Sequence, residues 1–273
     1  MVDQPNPAVP VPASPTATNT VFAPAVEAWA EGLNGVRNVV RQEVVRRQLA
    51  EVTGNMPGPL DVLDVGCGQG TQALHLARAG HRVIGLDLSE RLLDRFRSTL
   101  LAEPENVRRR VTLLHEPLET AAAVAPGPHD LVLCHGVLMY FDDPGRVLRE
   151  LDRVAGPDAR LSLLVRNGLA PAMRDGLRGD WAGALEAFDS LDYVNRLGVA
   201  AHAHTPEQLD GVLAGLGWVR EQWYGVRVFT DHLGDSLPPA DGLDRLLDAE
   251  TEAGHRDPYR QVAALLHLTY RRV

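Results

Sequence analysis

The sequence contains no lysine, so all 27 of its basic side chains are arginines. Arginine can grip a carboxylate or a phosphate through two parallel hydrogen bonds, which a lysine ammonium cannot do. Acidic residues outnumber arginines by 36 to 27, and the formal net charge is −9. This balance argues against a surface coated with positive charge for nucleic acid, but it allows a local arginine patch.

Cysteine and long apolar runs are also scarce. Cys67 and Cys134 are the only cysteines, too few for a disulfide framework or for a cysteine-rich zinc site. No apolar run approaches the roughly 18 residues that a membrane-spanning helix needs, and no secretory signal is recognisable at the N-terminus. We therefore expect a cytoplasmic protein without a metal site and without a membrane partner.

Composition divides the 273 residues into a tail and one large domain. Residues 1–20 are rich in proline and alanine and lack periodicity, which predicts a disordered tail. Residues 21–273 are long enough for one α/β domain with its own core, which opens with a helical pattern over about 21–52. Residues 167–204 are helical in composition and break the rhythm of the domain, so we predict an inserted helical cap there.

Strands and helices alternate along the rest of this domain. Five strands are predicted at 62–65, 83–86, 111–115, 131–134 and 161–165. Ser89 and Asp143 are suited to cap two of the intervening helices, and Pro144 suits a first helical turn. Two further strands, over 218–229 and 265–270, enclose a helix near 242–253. Such alternation predicts a mostly parallel sheet covered on both faces.

A glycine-rich loop joins the first predicted strand to the next helix. The segment Asp61–Gly70 reads Asp-Val-Leu-Asp-Val-Gly-Cys-Gly-Gln-Gly, and its glycines allow a sharp turn and a close approach to a ligand. The dinucleotide fingerprint needs its third glycine one residue later, where Thr71 stands here. The spacing therefore favours a nucleotide-like ligand other than NAD or FAD.

Asp87 ends the second predicted strand, 21 residues after Gly66. In such folds this position lies beside the first loop, where a carboxylate can accept both ribose hydroxyls and repels the 2′-phosphate of NADP. The alternative is structural, with glycines that only form a tight turn and an aspartate that only caps a loop. The combination of the loop with Asp87 favours a ribose-containing ligand.

With the segment His135–Pro144, these features resemble the class I S-adenosylmethionine-dependent methyltransferase family over residues 60–165. The resemblance implies a Rossmann-like α/β fold, with a seven-stranded, mostly parallel sheet whose last strand is antiparallel. It also implies S-adenosylmethionine as the cofactor, bound over the carboxyl ends of the strands.

Outside that shared region, the sequence is similar to the bacterial tRNA 5-carboxymethoxyuridine methyltransferases over about 23–272. Those enzymes methylate the carboxylate of a modified wobble uridine. The similarity is visible at 34–37, 80–84, 225–229, 246–251, 257–259 and 266–269. With the second loop glycine added, it implies these cofactor contacts: Arg37, Gly66, Cys67, Gly68, Asp87, Leu118 and His135.

Each implied contact has a physical interpretation and a structural alternative. Arg37 can pair with the methionine carboxylate of the cofactor, or it can belong to the solvated face of an amphipathic helix. Leu118 can pack on adenine or offer it a backbone amide, or it can belong to the core. His135 can line the methionine end of the cofactor, or it can be a hydrogen-bonded structural histidine.

The acceptor requires a different set of residues. A carboxylate is ionised at neutral pH, so methyl transfer to it needs no base and only a cation to hold it in line. The candidate cations are Arg227, Arg166 and Arg174, and Arg227 is predicted to be the catalytic one. Tyr224 is the second predicted catalytic residue, because it can donate a hydrogen bond to the acceptor. Its structural alternative is a tyrosine that only packs. A hydroxyl acceptor would need a base, and His135 is the nearest by fold position.

The cap departs from the related tRNA enzymes. They carry a strongly basic run there, whereas Asp192–Ala200 contains one arginine, and Cys67 stands where they usually have glycine. Three hypotheses follow for the function. The chain is a carboxyl O-methyltransferase acting on tRNA, a methyltransferase for a small carboxylic acid or natural product, or a non-catalytic protein that binds S-adenosylmethionine.

Overall fold

The computed structural model describes residues 35–196, 198–234 and 236–273. The predicted tail at 1–20 lies outside these residues, as does the first part of the helical segment predicted over 21–52. The described strands are β1 (Asp61–Val65), β2 (Arg82–Asp87), β3 (Val111–His115), β4 (His129–His135), β5 (Ala155–Arg166), β6 (Asp192–Val194), β7 (Ala200–His202), β8 (Trp218–Val226) and β9 (Leu265–Arg272). The described α-helices are α1 (Val36–Gly54), α2 (Thr71–Arg78), α3 (Glu90–Leu101), α4 (Glu105–Arg108), α5 (Ala121–Val124), α6 (Pro144–Val154), α7 (Met173–Leu177), α8 (Trp181–Asp189), α9 (Pro206–Ala214) and α10 (Ala240–His255).

Seven strands form one sheet in the order β3-β2-β1-β4-β5-β9-β8. Strands β1 to β5 pair in parallel, and β9 is antiparallel to both β5 and β8. This topology confirms the predicted sheet with an antiparallel last strand. The strand order reverses between β1 and β4, so their carboxyl ends diverge and leave a crevice at that edge.

Apolar side chains cover both faces of the sheet. On one face, α6 buries Val147, Leu148, Leu151 and Val154 to 1% exposure or less. On the other face, α1, α2 and α3 pack their apolar residues against β1, β2 and β4. The predicted caps are present, because the side chain of Ser89 accepts from the amide of Leu92 and that of Asp143 accepts from the amide of Gly145.

The cap at 167–204 combines α7 and α8 with an antiparallel pair, β6 and β7. Composition did not reveal this pair, since three-residue strands are too short to show an alternation. Asn167 anchors the base of the cap by donating to the carbonyls of Gln261 and Ala263, at 2.8 and 2.7 Å. The hairpin contacts the turn that follows β4 through Asn195, whose amide donates to the Tyr140 hydroxyl at 3.1 Å.

Among the described residues, no helix combines the length and the apolar character needed to cross a bilayer.

Candidate cofactor and acceptor sites

A cavity opens at the carboxyl edge of the sheet, at the crevice between β1 and β4. We call it the strand-end cavity. Six of the predicted cofactor residues line it, namely Gly66, Cys67, Gly68, Asp87, Leu118 and His135. They come from the ends of β1, β2 and β4 and from the turn after β3, so parallel strands bring distant parts of the sequence to one edge.

The glycine loop is held tightly against β2. The amides of Gly66 and Cys67 both donate to the carbonyl of Leu86, at 2.7 and 3.1 Å. Gly66, Gly68 and Gly70 have φ angles of 75°, 56° and 81°, which side chains other than glycine rarely adopt. At Gly70 an added Cβ would also lie 2.3 Å from the ring of Phe96. The predicted sharp turn is therefore present, and it depends on glycine at this position.

Asp87 braces this loop from the end of β2. One carboxylate oxygen accepts from the amide of Gly68 at 2.7 Å, and the other accepts from the amide of Ser89 at 2.8 Å. Each oxygen has a second acceptor direction, which suits the two hydroxyls of a ribose. Burial raises the pKa of this carboxyl, while the hydrogen bonds from the two amides favour its ionised form.

Asp64 is a second acidic group on the cavity wall, and sequence reasoning missed it. It lies within β1 and is buried. Burial, followed by repulsion from Asp87, raises the pKa of Asp64 to about 7. The sequence signal that could have identified Asp64 is an acidic residue between the apolar residues Leu63 and Val65 of a buried strand. The thiol of Cys67 is buried against Gly85, and burial raises its pKa, so Cys67 contributes its backbone rather than a reactive sulfur.

Helix α1 contributes Arg41 to the cavity wall. Arg37, the residue predicted from the resemblance, is buried one turn earlier on the same helix and is not among the described residues of the wall. Burial, and then repulsion from Arg227, lower the pKa of Arg41 to about 10. The guanidinium beside the crevice therefore belongs to Arg41, four residues after the predicted Arg37 and on the same face of the helix.

Two hydrogen-bond acceptors on the cavity wall lack a partner among the described residues. They are Nδ1 of His135 and Oε1 of Gln72. The Gln72 amide nitrogen donates to the carbonyl of Gln42 at 3.0 Å, which leaves its oxygen for the cavity. Buried acceptors without partners are rare in proteins and call for an explanation. A bound group rich in N–H donors would satisfy both atoms.

A cluster of arginines lies near this cavity, at and after the end of β5. None of its members lines the described wall, but Arg227 is close enough to lower the pKa of the wall residue Arg41. Asp231 accepts from Arg166 at 3.0 Å and pairs with Arg227 at 3.2 Å, and Arg174 lies close enough to act on the pKa values of Arg227 and Asp231. We call Arg166, Arg174 and Arg227, gathered around Asp231, the arginine cluster. The Nε atoms of Arg174 and Arg227 are buried and lack a partner among the described residues.

Arg227 is held in an unusual backbone conformation. Its φ angle is 61°, whereas the other described residues with positive φ are glycines. Next to it, the buried carboxylate of Glu250 accepts from the amides of Val228 and Phe229 and from the Thr230 hydroxyl, at 2.6, 3.1 and 2.7 Å. Strained residues of this kind persist where the surroundings fix them, and they concentrate at functional sites.

Tyr224, the other predicted catalytic residue, lies apart from this cluster. Its hydroxyl donates to Glu51 at 3.2 Å, and its ring packs against His255 and His267. It is buried and is not among the described residues of the cavity wall. Arg227 does not line the cavity either, but it lies close enough to lower the pKa of Arg41 on the cavity wall, whereas Tyr224 contacts Glu51, His255 and His267 instead. Among the described residues, no cluster of histidine, cysteine or acidic side chains could hold a metal ion.

Comparison with known proteins agrees with this geometry. The family described as "Methyltransferase domain" matches residues 63–163. The tRNA 5-carboxymethoxyuridine methyltransferase of Escherichia coli is 30% identical over 92% of this chain and 95% of its own length. A ubiquinone biosynthesis O-methyltransferase of Psychrobacter arcticus is 31% identical over 60% of this chain and 61% of its own. Magnesium protoporphyrin IX methyltransferase from Synechocystis, solved with bound SAH, shares the fold with a TM-score of 0.60 at 19% identity, over 94% of this chain and 99% of that one.

The cavity wall fits S-adenosylmethionine, the cofactor of this fold family. Asp87 would take the ribose hydroxyls, and the buried Leu118 offers an apolar surface for the adenine. Arg41 supplies a cation for a carboxylate, while the bare acceptors of His135 and Gln72 suit a donor-rich group. The ribose hydroxyls, the carboxylate and the α-ammonium of the cofactor thus each have a chemically matched counterpart on the described wall.

Proposed function

Because this chain belongs to the class I S-adenosylmethionine-dependent methyltransferase family, we propose that it O-methylates a carboxylate, which the arginine cluster holds beside the strand-end cavity. When bound, the cofactor supplies a methyl group on a positively charged sulfur, so the protein's task is to align the acceptor and exclude water. The observation that carries the proposal is the gathering of three guanidinium groups around the carboxylate of Asp231.

The charges of the arginine cluster favour an anionic acceptor. Burial alone would raise the pKa of Asp231, yet attraction by Arg227 and Arg166 outweighs it and leaves that pKa below its ordinary value. Asp231 is therefore ionised, and the carboxyl of Glu250 also lies close enough to act on Arg227, so three guanidinium groups face at most two negative charges. A carboxylate entering the cluster would offset part of this excess, and it would offer oxygens to the bare Nε atoms of Arg174 and Arg227.

A carboxylate acceptor also agrees with the state of the titratable groups beside the cavity. Burial, then the neighbouring ring of His267 and then the charge of Arg41 lower the pKa of His135, so this imidazole is neutral at pH 7 and has little tendency to keep a proton taken from an acceptor. A carboxylate needs no such proton transfer. Since no general base is required, arginine side chains that position the carboxylate are sufficient for this reaction.

The similarity to the Escherichia coli tRNA enzyme suggests which carboxylate this is. It extends over nearly the whole length of both chains, including β8, α10 and β9 outside the shared methyltransferase region. We propose as the first candidate the carboxylate of a modified wobble uridine in tRNA. The cap carries fewer basic residues than expected for such a substrate, so contacts with tRNA phosphates would have to come from other parts of the surface.

A small, partly apolar carboxylic acid is the second candidate. A groove in the cap is lined by the apolar side chains Leu169, Met173, Leu177, Trp181, Leu185 and Phe188. All six are more than a third exposed, which is unusual for one continuous surface of a water-soluble domain. This observation favours an acceptor with an apolar body, and it separates the two candidates by substrate size and polarity.

Incubation with S-adenosylmethionine labelled in its methyl group tests both candidates. Bulk tRNA should gain label in the wobble nucleoside, and mild alkali should release it, because methyl esters are base-labile and ring or ribose methyl groups are not. A panel of small carboxylic acids tests the second candidate in the same assay. Label that resists alkali on every acceptor would contradict a carboxylate substrate and leave the methyltransferase assignment intact.

Arg227→Met tests the role of the arginine cluster. Loss of a charged hydrogen bond to the acceptor costs about 1.5–3 kcal/mol, so kcat/KM should fall about 10- to 150-fold with little change in cofactor affinity. Arg160→Met is a matched control, since Arg160 lies six residues before Arg166 in β5 and pairs with Glu221 instead. Equal activity of the two variants would refute the assigned role of Arg227.

A further inference from the structure

A buried chain of hydrogen bonds runs from β8 to the strand-end cavity. The Gln48 amide nitrogen donates to the Gly225 carbonyl at 3.4 Å, and Gln48 Oε1 lies 2.8 Å from Nδ1 of His267. His267 Nε2 lies 2.7 Å from the Ser162 hydroxyl, which in turn lies 2.9 Å from Nε2 of His135. Gln48, Ser162 and His267 are fully buried, so this chain is shielded from solvent.

The direction of every hydrogen bond in this chain follows from its first member. A backbone carbonyl can only accept, so the Gln48 nitrogen faces Gly225 and its oxygen accepts from Nδ1–H of His267. Burial lowers the pKa of His267 to about 3, so this ring is neutral and its Nε2 carries no proton. The Ser162 hydroxyl must then donate to His267, which leaves its oxygen to accept from His135.

His135 is therefore held with its proton on Nε2. Because the ring is neutral, its other nitrogen, Nδ1, keeps a bare lone pair. Nε2 is engaged with Ser162, so Nδ1 is the polar atom that this side chain can offer to the cavity it lines. The tautomer of a histidine is often set by the hydrogen bond that its second nitrogen makes.

We propose that Gln48, His267 and Ser162 are positioning residues that fix this tautomer, so that Nδ1 of His135 accepts a hydrogen bond from the α-ammonium of S-adenosylmethionine. An ammonium carries three donors and no acceptor, so it can donate to Nδ1 of His135 and keep two donors for other acceptors. Gln72, whose Oε1 also lacks a partner among the described residues, lies on the same wall. The cofactor's carboxylate and ribose hydroxyls have Arg41 and Asp87 as better-matched partners on the same wall.

Ligands with and without the α-amino group distinguish this positioning role from that of a merely structural hydrogen-bond network. Ser162→Ala would leave the buried Nε2–H of His135 without an acceptor, which favours transfer of the proton to Nδ1. A protonated Nδ1 cannot accept from the ammonium. The loss should therefore be seen with ligands that carry the α-amino group and not with ligands that lack it.

Calorimetric titration with two ligands provides the test. The first is S-adenosylhomocysteine, and the second is its analogue with the α-amino group replaced by hydrogen. Ser162→Ala should weaken the first about tenfold, and should change binding of the second less than about twofold. Thr269→Val is the matched control, because Thr269 is a buried hydroxyl residue paired with Ser162 across β5 and β9 and donates to Gln222 instead. Equal weakening of both ligands by Ser162→Ala would overturn the proposal.

Nitrogen-15 NMR of the unsubstituted protein gives a second readout, independent of activity and of folding of the variants. The His135 ring signals, assigned with a His135→Gln variant, should show a protonated Nε2 and a bare Nδ1. The Nδ1 signal should move when S-adenosylhomocysteine binds and stay when the analogue without the amino group binds. A proton on Nδ1, or an Nδ1 signal that ignores the amino group, would overturn the proposal.

Discussion

Asp64 should make the stability of this protein fall as the pH rises towards neutrality. Burial and repulsion from Asp87 raise its pKa from 3.8 to about 7 in the folded chain. Between about pH 4 and pH 7 the folded state therefore holds a proton that the unfolded state has released. Stability falls with pH wherever the folded state binds more protons, so this contribution is present at low pH and is lost as the pH rises through the folded pKa.

The size of this effect follows from the same shift. A change from 3.8 to about 7 corresponds to on the order of 4 kcal/mol across the window. For a domain of this size that is roughly 10 °C in Tm. Asp64→Asn keeps the shape and neutrality of the protonated acid, so the variant should exceed the parent in Tm by only a small part of this shift near pH 4.5 and by most of it at pH 8.

Thermal unfolding followed by circular dichroism between pH 4.5 and 8 measures this difference. Asp87 also has a raised pKa, so both proteins will show some slope, and the difference between the curves isolates Asp64. Asp158→Asn, at an exposed position, should follow the parent at every pH. Parallel curves for Asp64→Asn and the parent would refute the reasoning, because they would mean that burial does not hold the proton on Asp64.

Three further predictions concern the loop, the ribose site and the support of Arg227. Asp87→Asn should weaken S-adenosylhomocysteine at least about tenfold by calorimetry, and undiminished binding would remove the ribose role. Gly70→Ala should lower Tm more than Gly80→Ala, because both have positive φ but only the first Cβ collides with Phe96; equal losses would contradict the collision. Glu250→Gln places an amide against donors it cannot all accept, so it should cost about 1–3 kcal/mol in denaturant unfolding and lower kcat/KM, whereas unchanged activity would show that Arg227 needs no such support.

The cofactor side of the site could be predicted from the sequence because its parts are local. The glycine loop and Asp87 each follow directly from a strand end, and parallel strands bring their carboxyl ends to one edge. Arg41 could not be separated from Arg37 in this way, since several arginines share α1 and the choice depends on how the helix rotates against the sheet. The pair β6 and β7 left no periodic signal, so the cap was predicted as helical alone.

The acceptor side resisted prediction for a different reason. Arg227 was predicted because it lies in the matched segment 225–229, and Tyr224 lies three residues before it, yet residues three apart on a regular strand face opposite sides. Tyr224 accordingly faces Glu51 on α1, while the chain leaves the strand at Arg227 with φ at 61°. The change of backbone direction at Arg227 therefore determines that this side chain, and not that of Tyr224, joins the arginine cluster. No pattern in the sequence predicts such a change.

The carboxylate of Asp231 allows the three guanidinium groups of the arginine cluster to lie close together before an acceptor binds. Arg166, Arg174 and Arg227 come from β5, α7 and the end of β8, so folding places three guanidinium groups together at a cost in mutual repulsion. The carboxylate of Asp231 offsets part of that repulsion and leaves a positive excess. Asp231→Asn should therefore destabilise the fold, as loss of one partner from a buried ion pair does, and an anionic acceptor should restore part of the lost stability.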